Sequence, residues 1–219
     1  PVAGCWDNRE LNDQALQIAA GIDLLENGDY LLSNQYAKSS QSSQSDQGQK
    51  IGFYTETAVG RTLLKGSSAL QKKVTRQINR GQRLSLAISE KMARRGLRDL
   101  LDYYTRNPEA PIRMDLFVVK GSMAADLLKN PVPFGSQPLR EYYKLHQSNF
   151  ETADIVFMNL VRALNEPSKS GEILPVLEAV PAPSGKKNGN KQSLYRYSGS
   201  AVMSNEAKLV GYLNEEETG

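Results

Sequence analysis

The stretch that most constrains this chain is a turn. Glu26-Asn27-Gly28-Asp29 lies between two runs of alternating apolar residues. Asn-Gly accepts positive φ at low steric cost, so the two runs fold back on each other as a hairpin. Upstream, Ile18, Ala20, Ile22 and Leu24 alternate, which predicts a strand with one buried face. Downstream, Tyr30, Leu32, Asn34 and Tyr36 fall on one side of its partner. From Ser39 to Gln49 the chain uses only Ser, Gln, Asp and Gly. Such a segment has nothing to bury and reads as a mobile loop. A third strand is expected around Ile51 to Val59.

The pattern then changes period. Thr62 can cap a helix expected to run to about Arg80, with Leu63, Ser67, Leu70, Val74 and Ile78 on one face. Lys65, Lys72, Lys73, Arg76 and Arg80 fall opposite, either as a solvated face or as one turned toward anionic headgroups. Arg83 to Ser89 reads as a short buried strand. Glu90 to Tyr104 reads as a second helix, bent near Gly96, that buries Ala93, Leu97, Leu100, Leu101 and Tyr104. Asn107-Pro108 ends it, and Ile112 to Val119 has the apolar character of a buried strand. A short helix is expected at Ser122 to Lys129.

Asn130-Pro131-Val132-Pro133-Phe134-Gly135 is a Pro/Gly-rich connection and the expected boundary. Beyond it, helices are expected at about Pro138 to Gln147 and Thr152 to Leu164. Strands follow near Ile173 to Val180, Leu194 to Met203 and Leu209 to Leu213, with an exposed loop at Pro181 to Asn190. Ser204-Asn205-Glu206 supplies the last hairpin turn. These elements predict an α+β chain: a first lobe over 5–130 with helices on a mixed β-sheet, and a smaller second α+β lobe over 137–213.

Residue usage narrows the chemistry. With one cysteine and one histidine in 219 residues, there is no zinc set and no Cys/His dyad is expected. His146 reads as an ordinary surface imidazole. No phosphate loop, dinucleotide fingerprint or nucleophile elbow is present. Asp99 and Asp102 stand three apart on a helix, as carboxylates on solvated faces commonly do. Tyr103-Tyr104 and Tyr142-Tyr143 suit a core or an interface. No catalytic residue, metal ligand or cofactor is therefore expected. A net charge of +3 is too small to imply nucleic acid. No apolar run reaches the roughly 20 residues of a membrane helix.

One further stretch concerns the membrane. Val2-Ala3-Gly4-Cys5 places small residues directly before the single cysteine, as lipoprotein signal processing requires. Cys5-Trp6-Asp7-Asn8-Arg9-Glu10-Leu11 follows. Further motifs come in order: Gly21-Ile22-Asp23, Gly60-Arg61-Thr62-Leu63, Ala93-Arg94-Arg95-Gly96-Leu97, Leu101-Asp102-Tyr103-Tyr104, Arg106-Asn107-Pro108, Gly199-Ser200-Ala201-Val202-Met203 and Leu209-Val210-Gly211-Tyr212-Leu213. Together they resemble the Ger(x)C lipoproteins, the C subunits of nutrient germinant receptors of spore-forming bacteria. Met203 stands where the family usually has Phe.

The resemblance implies a non-catalytic protein attached by a diacylglycerol on Cys5, with Pro1 to Gly4 removed. It implies a place on the outer face of the spore inner membrane, beside two membrane-spanning partners, the A and B subunits. No small-molecule ligand of its own is expected. The family carries a third, C-terminal domain, which this chain is expected to lack. The alternative is a lipid-anchored solute-binding protein, which also begins at a cysteine.

Overall fold

A computed structural model describes residues 13–37, 52–107, 111, 114–130, 139, 172–181 and 193–218. The expected hairpin is present. Strand β1 (Gln14–Leu24) pairs antiparallel with β2 (Tyr30–Ala37), Ile22 facing Leu32 and Leu24 facing Tyr30. The turn closes as predicted, with Gly28 at φ +84°. β3 (Phe53–Gly60) lies along the far side of β2. Thr62 caps helix α1 (Leu63–Lys73), its hydroxyl accepting the Lys65 N–H at 3.2 Å.

The helix expected to reach Arg80 stops seven residues earlier. Val74 is extended, and its N–H closes the last turn on the Leu70 carbonyl. The Gln71 amide then donates to the Arg76 carbonyl and accepts from the Ile78 N–H, holding the chain as a short strand β4 (Gln77–Asn79). β4 pairs parallel with the start of β1. Ile78 is buried as expected, but on a strand. A side chain seven residues back decided this, and periodicity does not register it.

β5 (Ser85–Ser89) is followed by α2 (Glu90–Arg95) and α3 (Arg98–Arg106). The expected bend is a full break. Gly96 takes φ +114°, which L side chains rarely adopt, and Leu97 donates its N–H to the Ala207 carbonyl at 2.9 Å. β6 (Asp115–Lys120) and α4 (Ala124–Lys129) complete the first half. β7 (Glu172–Pro181), β8 (Ser193–Met203), β9 (Leu209–Leu213) and a final turn, α5 (Glu215–Thr218), make up the rest. The two helices expected between 138 and 164, and the loops at 39–49 and 182–190, lie outside the described residues.

The strands form one mixed sheet in the order β3-β2-β1-β5-β6-β7-β8-β9, with β4 beside β1. β1, β5, β6 and β7 run parallel, flanked by antiparallel pairs. The fold is α+β. The boundary expected at 130–137 falls between β6 and β7, which pair with Val118 opposite Val176.

Helices cover both faces. On one, Leu63, Leu70, Met92, Leu100 and Tyr104 of α1 to α3 pack on Ile22, Leu32, Ile88, Leu116 and Val176. On the other, Ala124, Leu127 and Leu128 of α4 pack on Ala19, Ala87, Phe117 and Val119. Burial of this apolar area is the main stabilising term.

Candidate functional site

Two concave regions are formed by described residues. The larger is a cavity of about 630 Å³ between the start of α1, the length of α3 and the β1–β2 turn. Its centre is Tyr30, the first residue of β2. The ring is buried, and its hydroxyl donates to Asp99 Oδ2 at 2.6 Å. Burial, then the Asp99 hydrogen bond and charge, push this phenol up to about 12. Tyr30 is thus a hydrogen-bond donor at neutral pH and not a base.

The acidic groups around it are held by neighbouring residues. The Arg95 guanidinium lies 5.3 Å from the Tyr30 ring centre, donates to the Gly28 carbonyl at 3.3 Å and stands 3.7 Å from Asp99. Asp102 accepts from Arg106 at 2.7 Å, and the Asn107 amide donates to the Tyr103 hydroxyl at 3.3 Å. Arg61 and Leu64 form the opposite wall. Such a cavity can bind and orient a guest. Among the described residues that line it there is no histidine or cysteine and no carboxylate without a partner.

The second region, about 540 Å³, opens where β1 and β5 end and β6 leads into α4. Carboxyl ends of parallel strands are where open α/β sheets commonly receive ligands. Here Lys91 pairs with Glu26 at 2.6 Å and Arg94 with Glu90 at 2.7 Å. Below the rim, Asp23 is 1% exposed and accepts the N–H groups of Ala124 and Ala125 at 2.7 and 3.0 Å. Burial pushes its carboxyl up, and these N–H groups and the Ser89 hydroxyl pull it down. The side chain fixes the start of α4. Gly21 lies under the same helix, where an added Cβ would come within 3.2 Å of Ala124 Cβ.

The residues singled out from sequence divide clearly. Asp99 and Asp102 do not merely face solvent; both line the larger cavity. Tyr103 lines it too, whereas Tyr104 is buried in the core under the Arg83 guanidinium, 5.0 Å from its ring. The five cations expected on the first helix also separate, and Arg76 and Arg80 lie beyond its end. Lys73 donates to Glu56 and the Thr57 carbonyl, and Arg80 donates to Ser67. Lys65, Lys72 and Arg76 remain on the exposed side. Cys5, His146, Tyr142 and Tyr143 lie outside the described residues. Tyr30 and Arg95 were not singled out by sequence, because a tyrosine at a strand start and an arginine on a short helix carry no chemical signature until α3 is packed beside them. Among the described residues no group of three or more His, Cys, Asp or Glu could hold a metal ion, and no helix is long and apolar enough to cross a membrane.

Comparison with known proteins identifies the family. Residues 7–179 match the family described as the spore germination protein N-terminal domain. The chain is 26% identical over 222 residues to YfkR of Bacillus subtilis (strain 168), named for spore germination, covering 99% of this chain and 56% of that one. The crystal structure of the GerBC protein aligns at 18% identity and TM-score 0.38, over 94% of this chain and 55% of that one. The chain therefore spans little more than half the length of either relative. The family match covers well over half of the 219 residues, and the chain belongs to the Ger(x)C family of spore germination proteins.

Proposed function

We propose that this chain is a lipid-anchored, non-catalytic subunit of a spore nutrient germinant receptor. A diacylglycerol on Cys5 would hold it on the outer leaflet of the spore inner membrane, against the membrane-spanning A and B subunits. The observation that carries the reading is the family match over residues 7–179. The Val-Ala-Gly-Cys stretch supports the anchor, since the two acyl chains of a diacylglycerol give stable attachment where one gives marginal binding. A contribution through shape and contact is supported by the pairing of the carboxylates that line both concave regions. Replacing Cys5 by Ala in the lipoprotein precursor is expected to leave it soluble or unprocessed on membrane fractionation. A variant that is still processed and tightly membrane-bound refutes the anchor.

The cavity at Tyr30 gives the solute-binding alternative a definite location. A ligand that binds only the folded chain raises its melting temperature by mass action. Thermal scans with millimolar L-alanine, other amino acids and sugars are expected to show no shift. A saturable shift that disappears in Tyr30→Phe would replace the scaffold reading with the solute-binding one.

A further inference from the structure

Charge is strongly segregated along this chain. Between Thr57 and Ser89 there are seven cations and no aspartate or glutamate, although the whole chain carries only +3. The remainder is therefore net acidic. Three of the seven are occupied: Arg83 is buried, Lys73 reaches Glu56, and Arg80 reaches Ser67. The other four, Arg61, Lys65, Lys72 and Arg76, are exposed, and among the described residues none of them forms an ion pair.

Their positions cluster on and around α1. At about 100° per residue, Lys65 and Lys72 project within ~20° of one another on the helix, while Arg61 just before the Thr62 cap and Arg76 just beyond the extended Val74 flank them. The buried residues Leu63, Gly66, Ser67 and Leu70 point the opposite way. From Lys65 to Lys72 the stripe extends about 10 Å along the helix. Leu64 stands beside it, 63% exposed. At the far end Tyr54, 36% exposed, sits close enough to Arg76 to feel its charge. The acids nearest the start of the stripe, Asp99 and Asp102, lie across the cavity and are already held by Tyr30, Arg95 and Arg106.

We propose that this outer face of α1 docks on an anionic bilayer surface, the four cations meeting lipid phosphates while Leu64 enters the headgroup layer. The proposal deepens the membrane-anchored reading. Unpaired Lys and Arg with an exposed aliphatic and an aromatic at the margin are the elements of an interfacial contact. Charge complementarity selects the occupant. Each cation near an anionic surface contributes about 1 kcal/mol, roughly fivefold in partitioning. Four cations are thus worth roughly several hundredfold. An anchor at Cys5 would tether the chain without orienting it; a cationic face would set which side meets the lipid.

The test uses the unacylated 219-residue chain, so that its outcome is independent of the anchor. It is sedimented with vesicles of phosphatidylcholine containing phosphatidylglycerol, and with phosphatidylcholine alone. Binding is expected only with phosphatidylglycerol. Raising salt from ~0.1 to ~1 M shortens the screening length from about 10 to about 3 Å and should release the protein. Reversing Arg61, Lys65, Lys72 and Arg76 to Glu should lower partitioning at least a hundredfold, and Leu64→Ala alone about fivefold. If the reversed chain does not fold, the same four positions as Gln serve in its place. No binding to anionic vesicles at low salt overturns the proposal, and so does equal binding by the folded variants. Retained vesicle binding with lost capture of the other receptor subunits would also overturn it, assigning the face to an acidic protein surface. The Cys5→Ala fractionation can fail while this binding stands, and the reverse.

Discussion

At the scale of single residues, several family motifs turn out to be solutions to packing problems. Gly21-Ile22-Asp23 puts a residue without Cβ beneath α4, an isoleucine in the core and a carboxylate on the first N–H groups of that helix. Removing the carboxylate leaves two buried donors with no acceptor, at roughly 1–3 kcal/mol for such a loss. Removal also relieves the burial of a charge, which opposes folding. The unpaired donors outweigh it, because the N–H groups stay buried whatever occupies position 23. Asp23→Ala is therefore expected to lower stability by about 2 kcal/mol in denaturant unfolding. A change below about 0.5 kcal/mol, typical of surface positions, would mean that α4 does not depend on this cap.

At the scale of elements, the seating of α1 on β3 depends on two glycines meeting. A Cβ built on Gly60 would lie 2.2 Å from the Gly66 nitrogen and 2.7 Å from its Cα, so no side-chain movement can accommodate it. In turn, Gly66 lies against Leu32, whose Cδ1 an added Cβ would approach to 2.5 Å. Gly60→Ala must displace backbone, and a loss of about 3 kcal/mol is expected, at the upper end of overpacking effects. Gly211→Ala is the control: nothing lies within 4 Å of its Cβ position, and a change within about 0.5 kcal/mol is expected. Equal melting temperatures for the two variants would contradict the close approach. The same seating directs Lys65 and Lys72 outward, so the proposed lipid-facing stripe rests on a contact made on the opposite side of the helix.

At the scale of the whole molecule, the described strands of segments 5–130 and 137–213 share a sheet and a core. β6 pairs with β7 over Val118 to Lys120, and Leu174, Val176, Ala201, Met203 and Leu209 join the same apolar cluster as Ile22 and Leu100. A chain cut after Asn130 would present the β6 edge unpaired and lose the cover over Leu116 and Val118, a template for aggregation. We expect one cooperative transition for the intact chain, coincident by fluorescence and circular dichroism. An independently folded 5–130 segment, or two separable transitions, would show two domains that merely share a seam.

The local signals in the sequence were sufficient wherever a residue's own backbone or side chain fixed the outcome. Asn27-Gly28 closed the hairpin, Thr62 started α1, Gly96 broke the second helix, and alternating apolar residues marked β1. The α+β class followed, because period-2 and period-3.6 segments were interleaved. The long-range pairings were decided only in three dimensions. Gln71 reaching Ile78 ended α1 early, and parallel pairing of β6 with β7 joined segments more than fifty residues apart in the chain. The cavity at Tyr30 likewise exists because α3 places Asp99 against a tyrosine 69 residues earlier. Periodicity reports which face of a segment is apolar; it carries no record of which distant segment will cover that face, and so architecture could be read from the chain while the site could not.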